Sequence, residues 1–299
     1  MTSEDAEDLL GSVREIVADT RSGSSQISLR LLETLASDPR LKSQVSQPLL
    51  EKIYSIVRER RALASPATLV SIILKTLQLT EKRGTVLTPG QAAARLSGIY
   101  REALARAALH LAETLSGYGT VLTLSKSSQV IRALKIAGAV RARILAGWPL
   151  MDGLEAYKEL AEAGLSPEAF PDLSVGEALR GVDALIIGCD AVLPDGSAAN
   201  RAGSYVLALA AYERGVPTIV VCDSSKLDLE GSWEVEAWRV EWGGIGLRFE
   251  VFERVEPRLI TDYICEWGRS DPHRFVERAR RVVSEEWPGE ILGDGREKV

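Results

Sequence analysis

Residues 182–223 read VDALIIGCDAVLPDGSAANRAGSYVLALAAYERGVPTIVVCD. Two short apolar runs, ALIIGC and TIVVC, flank a helical pattern, and each is followed at once by an aspartate, Asp190 or Asp223. Runs this short and this uniformly apolar read as strands buried on both faces, the signature of a parallel sheet covered by helices. The alternation extends upstream. GYGTVLTLS (117–125) and AVRARILAG (139–147) read as strands, while SSQVIRALKIAGA (127–139), GLEAYKELAEAG (153–164) and LSVGEALRG (173–181) read as helices. One short strand is expected within LSPEAFPDLS (165–174), and AANRAGSYVLALAAYERG (198–215) reads as one helix. These units predict a Rossmann-like α/β domain over 117–270, with its ligand site at the carboxyl ends of the strands.

Upstream of the first strand the period is helical. Ile27, Leu31 and Leu35 form one stripe, and Val45, Leu49, Ile53 and Val57 form another. Ser65-Pro66 reads as an N-cap with proline at the first helical position. A long helix from Gln91 to about Leu115 links this helical domain, residues 1–116, to the sheet. Downstream, residues 233–255 suit edge strands or a hairpin. Residues 271–299 are expected to form a C-terminal helical extension whose RFVERARRVVSEEW helix is solvated or packed, the alternative being a helix that docks a partner.

Composition narrows the function classes. The chain has 299 residues, 36 Lys+Arg against 42 Asp+Glu, a net charge of -6, and 45% hydrophobic residues. That is a globular balance, with a core that needs no staples. No run of apolar residues is long enough for a membrane helix, and the first residues, MTSEDAEDLLGS, are acidic, unlike a secretory leader. A cytoplasmic protein is expected. Cys189, Cys222 and Cys265 sit in apolar runs, as reduced buried thiols do, and His110 and His273 are too isolated for a metal site. An acidic chain is also a poor direct binder of nucleic acid, and no dinucleotide fingerprint follows the first strand.

Three segments carry candidate chemistry. Asp190 ends a strand, and Asn200, Arg201 and Gly203 open the next helix, where free N–H groups and a guanidinium suit an anion. Thr123, Ser125, Lys126, Ser127 and Ser128 stand at a strand-to-helix junction, and Lys226 follows Asp223 at another. Arg21, Gly23 and Ser24 belong to TRSGSSQ (20–26), a cradle without the P-loop frame. Each group serves equally well as a turn or helix cap. Asp190 and Asp223 are expected as sheet neighbours, with like-charge repulsion raising one pKa.

The segment GCDAVLPDGSAANRAGSYVLALAAYERGVPTIVVCDSSK closely resembles the family of the alpha, beta and delta regulatory subunits of translation initiation factor 2B. That family also contains methylthioribose-1-phosphate isomerase and ribose-1,5-bisphosphate isomerase. TRSGSSQIS, SPATLVSI, GTVLTLSKSSQVIRAL, WPLMDGLEAYKELAEAG and FEVFERVEPRLITDYICEWG carry the resemblance over most of residues 13–268.

The resemblance implies a helical N-terminal domain, a Rossmann-like C-terminal domain, and assembly as a homodimer or hexamer. It also implies initiation factor 2 alpha as a partner and a nucleotide or sugar phosphate as ligand. The isomerases' catalytic cysteine position is Ser125 here, while their aspartate is retained as Asp190. An Asn-Lys phosphate contact becomes Asn200-Arg201. The arginine before proline becomes Trp148, and that before the N-terminal glycine becomes Ser22, with Arg21 displaced by one place. These departures predict a non-catalytic regulatory protein without metal or cofactor, whose ligand residues are Arg21, Gly23, Ser24, Thr123, Ser125, Ser127, Asp190, Asn200, Arg201 and Lys226. The alternative is an aldose–ketose isomerase acting on a ribose 1-phosphate-type substrate, with Asp190 shuttling protons and Ser125 or Lys126 in the cysteine's place.

Overall fold

Five helices open the chain: α1 (Ser3–Val17), α2 (Ser24–Ser37), α3 (Gln47–Val57), α4 (Ala64–Arg83) and α5 (Pro89–Leu115). The structure, a computed structural model, describes residues 3–43 and 46–294, so Val45 of the second stripe lies outside the described residues. Ile27, Leu31 and Leu35 are fully buried, as their spacing requires. Thr88 starts α5 with a capping box: its hydroxyl accepts from the Gln91 N–H, and the Gln91 side chain accepts from the Thr88 N–H. The start of α4 differs from expectation. Its N-cap is Leu63, and Ser65 lies inside the helix with its hydroxyl 2.8 Å from that of Ser225. The Ser65 side chain thus ties the helical layer to the sheet domain instead of capping.

The α/β part follows as β1 (Thr120–Leu124), α6 (Ser128–Ala137), β2 (Arg141–Leu145), α7 (Asp152–Glu162), β3 (Glu168–Phe170), α8 (Val175–Ala178) and β4 (Ala184–Ile187). After β4 come β5 (Ala191–Val192), β6 (Ala198–Arg201), α9 (Ser204–Glu213) and β7 (Thr218–Val221). Next are β8 (Ala237–Trp242), β9 (Ile245–Glu250), β10 (Phe252–Val255), β11 (Asp262–Cys265) and β12 (Gly268–Ser270). The chain closes with α10 (Pro272–Arg281), a π-helical turn and α11 (Trp287–Leu292).

Seven strands form the main sheet in the order β3-β2-β1-β4-β7-β11-β12, parallel except for β12. Strand sides alternate as period two demands. Leu122 and Leu124 face one apolar layer with Leu185, Ile187 and Val220, while Val121 faces the other with Ala184, Ile186 and Ile219. The α/β class is therefore as expected, including the short strand in 165–174. The expected hairpin in 233–255 is β8–β9, turning at Gly243-Gly244, both at positive φ. Residues 198–201 correct the reading: they form strand β6, paired with β5 and β10, before α9 begins at Ser204.

The long helix α5 spans both layers. Leu96, Tyr100 and Ala103 belong to the helical core, and Ala107, Leu111 and Leu115 pack under the sheet. The C-terminal segment returns to the helical core, with Val282, Val283, Trp287 and Ile291 buried among the residues of α1–α5. Trp287 meets Tyr100 edge-on at 6.4 Å between ring centroids. The last residues of the expected extension, 295–299, lie outside the described ones.

Two predictions follow from this packing. Trp287→Ala removes a buried aromatic from the seam between the chain's two ends and should cost about 3–5 kcal/mol of stability, read by urea unfolding. The second concerns Glu266, buried just after β11, which accepts from the Ser224 N–H and hydroxyl. Burial, then repulsion from Asp223, raises its pKa from 4.5 to about 8. The folded state is then the stronger proton binder, so stability falls as pH climbs from the ordinary glutamate value toward about 8 and is flat beyond. Glu266→Gln abolishes this dependence, so urea unfolding should show the variant gaining on the wild type across that window.

Candidate functional site

In order of appearance, the six parallel strands lie third, second, first, fourth, fifth, sixth, so the direction of winding reverses between β1 and β4. Helices leave opposite faces there, and their divergence opens a crevice beyond the carboxyl ends of both strands. Ser125 follows β1 in the left-handed region, at φ 63°, which turns the chain sharply toward α6. Ser127 caps α6 by accepting from the Val130 N–H. Gly188 follows β4, and a Cβ there would stand 2.8 Å from the Ser127 side chain, so only glycine lets the two turns approach this closely.

The crevice is a cavity of about 870 Å³ closed on its far side by the N-terminal helices. Its walls bring together Arg21, Gly23, Ser24, Ser125, Lys126, Ser127, Asp190, Asn200, Arg201 and Lys226 from five parts of the chain. Thr123 and Gly203 are exceptions: the Thr123 side chain is buried within β1, and neither residue lines the cavity. Trp148, half-exposed, also stands outside it. The cradle at 20–26 is held by Asp19, whose carboxylate accepts from the Arg21 and Ser22 N–H groups, and Gly23 precedes α2 without a side-chain cap. The first N–H groups of α2 are thus not claimed by a cap.

Asn200 and Arg201 reach the cavity from β6 and not from a helix start. Asn200 donates to the Ser204 hydroxyl at 2.9 Å, and the Tyr205 N–H at the start of α9 is already taken by Glu253. Arg201 lies 5.1 Å above the Phe252 ring and 3.3 Å from Asp152. Asp152 opens α7, where Gly147 and Gly153 are compelled: a Cβ on Gly147 would meet the Asp152 carboxylate at 2.4 Å, and one on Gly153 the Leu145 carbonyl at 1.9 Å. Burial raises the Asp152 pKa, opposed by the Arg201 charge and the Ser125 hydroxyl.

Three carboxylates of α7, Asp152, Glu155 and Glu159, share one face at spacings of three and four. Glu155 and Glu159 hold Lys126 at 3.5 and 3.4 Å, and Glu159 holds Lys135 at 2.8 Å. Lys226 is only 2% exposed. Burial opposes its charge, but Tyr100, Asp223 and Asp190 outweigh that and raise its pKa. Asp223 and Asp190 do end neighbouring strands, β7 and β4. The Asp223 pKa is raised by burial, against the pull of Lys226, so desolvation and not Asp190 is the cause. The Asp190 carboxylate faces the cavity with no hydrogen bond or salt bridge among the described residues. Cys189 is the only cysteine on the wall; its thiol donates to the Ala191 carbonyl at 3.0 Å, and burial pushes its pKa well up.

Seven basic side chains therefore face four acidic ones around a hydroxyl-rich floor. This suits a small, hydroxylated, phosphate-bearing molecule better than an apolar one. Sequence reading missed Asp152, Glu155, Glu159 and Arg60. The signal for the first three was present, as an acidic stripe opening the helix after the second strand. Arg60 gave none, because it reaches the wall from the loop before α4 while donating to the Val17 and Asp19 carbonyls.

Known proteins share this architecture. A crystal structure of the translation initiation factor eIF-2B of Pyrococcus horikoshii OT3 superposes with a TM-score of 0.76 over 90% of this chain and 99% of that one, at 22% identity. The 5-methylthioribose 1-phosphate isomerase of the same organism gives 0.65 over 91% and 87%, at 21% identity. In sequence, a Pyrococcus horikoshii protein provisionally named as translation initiation factor eIF-2B subunit 2-like is 25% identical over 91% of this chain and 99% of its own length. The methylthioribose-1-phosphate isomerase of Desulforudis audaxviator is 31% identical over 56% of this chain and 52% of its own. The model of the initiation factor 2 subunit family matches residues 20–272, and the chain belongs to that family.

Proposed function

We propose that this chain is a non-catalytic, oligomeric member of its family that holds a nucleotide or sugar phosphate in the cavity as a regulatory ligand. Its protein partner in this reading is a translation initiation factor, the alpha subunit of initiation factor 2, and its compartment is the cytoplasm. No helix among the described residues is long and apolar enough to cross a membrane.

The observation that carries the reading is the absence of a usable thiol on a wall otherwise built for a phosphate. Ser125 stands where the resemblance puts the isomerases' cysteine, and its hydroxyl is turned to Asp152. Cys189 offers no thiolate, because its proton is held by a carbonyl in a buried site. A serine hydroxyl is too weak an acid to take over a thiol's proton transfers near neutral pH. Self-association draws support from the fold shared with a subunit of the tetrameric eIF2B-beta2-delta2 complex of C. thermophilum, at a TM-score of 0.66.

One observation favours the isomerase reading. Asp190 keeps an unengaged carboxylate at the cavity wall, beside the charged Lys226, as a proton-shuttling base requires. Phosphorus NMR of ribose 1,5-bisphosphate and methylthioribose 1-phosphate with the purified chain separates the two. The expected result is no conversion by folded wild type; conversion that vanishes in Asp190→Asn establishes the isomerase. Binding is read apart from turnover, by calorimetry with ribose 1,5-bisphosphate. Arg201→Gln removes a charged donor from the wall and should weaken that affinity about tenfold or more, a charge-assisted hydrogen bond being worth roughly 1.5–3 kcal/mol.

A further inference from the structure

The hairpin β8–β9 leaves an edge open. Its two strands meet no third strand among the described residues, and a ribbon of two is marginal in water unless something packs on it. Trp238, Val240 and Trp242 of β8 share one face with Phe249, Leu247 and Ile245 of β9. The base of that face is covered: Trp238 and Phe249 meet edge-on at 6.2 Å and pack on the cluster that includes Ile27, Leu63 and Phe252. The tip is bare, with Trp242 67% and Ile245 64% exposed.

The register fixes which backbone groups are free. Trp242 and Ile245 flank the two-residue turn and are therefore a hydrogen-bonded pair. The Val251 N–H, which donates to the Glu236 carbonyl at 2.8 Å, keeps the same parity at the other end. The even-numbered residues of β8 thus bond to β9, and Ala237, Arg239 and Glu241 turn their N–H and C=O groups to the outer edge. All three are exposed. Neither Arg239 nor Glu241 has a salt bridge among the described residues, and Arg239 lies directly opposite Arg248, a destabilising placement for like charges.

The charges select what such an edge pairs with. When β8 meets β8 of a second copy antiparallel, about a two-fold axis at Val240, Arg239 falls opposite Glu241 of the second copy, twice. Both are outward residues, so each pair also exchanges two backbone hydrogen bonds, and Val240 faces its own counterpart in a non-hydrogen-bonded pair. On the apolar face Trp242 then lies opposite Trp238 of the second copy. Moving the axis by one residue opposes arginine to arginine or glutamate to glutamate. Strand β9 offers no equivalent. Its opposite charges, Arg248 and Glu250, would pair about Phe249 and require Val251 and Phe252, which are buried where the chain enters β10. We propose that the outer edge of β8 is a self-docking surface that joins two copies of this chain into a four-stranded ribbon, held by two reciprocal Arg239–Glu241 pairs. The proposal rests on the reading that the chain self-associates and assigns one of its contacts.

Sedimentation velocity of the full chain over a range of concentrations tests it. Wild type should show an association step that weakens about tenfold or more in R239E and in E241R, each of which makes both pairs repulsive. The step should return in R239E/E241R, where the charges are exchanged, and in an equimolar mixture of the two single variants. Val240→Cys places two thiols across the axis at a Cα separation that a disulfide accepts, so oxidation with copper phenanthroline should yield a covalent dimer. Arg248→Cys, more exposed but on the far strand, should not. The native cysteines are buried and do not compete. All variants are checked by circular dichroism, and the cysteine pair decides the matter should a charge variant misfold. No association step, a step indifferent to the charge reversals, reversals that the exchange does not rescue, or equal cross-linking at the two cysteine variants would each overturn the proposal. Self-association through another face survives every one of these variants, so only a monomer at all concentrations would remove that reading as well.

Discussion

The closeness with which the start of α6 approaches the end of β4 governs the rest of the molecule. Parallel strands that diverge in winding leave a gap, and what fills it decides whether the gap is a packed seam or a site. Here Gly188 carries no side chain, Ser127 occupies the space a Cβ would claim, and Ser125 takes a left-handed turn to bring it there. The hydroxyls of 125–128 and the carboxylate of Asp190 are delivered to the same crevice by backbone geometry alone. A side chain at 188 would push the two turns apart, and with them the two halves of the cavity wall.

A second constraint is the burial of Lys226 where the helical layer meets the sheet. Removing an ammonium from water costs several kcal/mol unless its surroundings compensate, and they do so through the carboxylates of Asp223 and Asp190. Tyr100, on the long helix that crosses both layers, ties the two ends of the chain through its contact with Trp287. The Ser65–Ser225 and Thr68–Leu227 hydrogen bonds fix α4 against the same turn. The helical layer thus acts as a lid whose position is set by buried polar contacts, and such contacts specify one arrangement where apolar packing would tolerate several.

Much of this was legible in the residues, and the failures have physical causes. Apolar runs at 120–124, 184–187 and 218–221 gave their strands, because a strand buried on both faces has no other composition open to it. Ten of the named candidates meet at one cavity, because strand ends in a parallel sheet converge whatever the intervening sequence. Thr123 differs because one residue along a strand reverses the side-chain direction, and the run TVLTL does not say which face is which. Asn200 and Arg201 were read as a helix start because Ala-Ala-Asn-Arg suits a helix; pairing with the distant strand β10 overrides that local preference. The destination of the C-terminal segment was invisible, since amphipathic helices declare that they pack but not against what.

The acidic stripe of α7 bears most directly on selectivity. A wall of arginines and lysines alone would accept any phosphate, but here Arg201, Lys126 and Lys135 are already paired with Asp152, Glu155 and Glu159. An incoming phosphate must displace these carboxylates or share their cations, and bare phosphate gains little from the exchange. A ligand that also presents hydroxyl groups changes the balance, because each displaced carboxylate can then accept a hydrogen bond in place of its lost ion pair. Under the proposed function, specificity for a hydroxylated phosphate ester over simple anions would arise from the carboxylates of the wall, while its cations would supply the attraction.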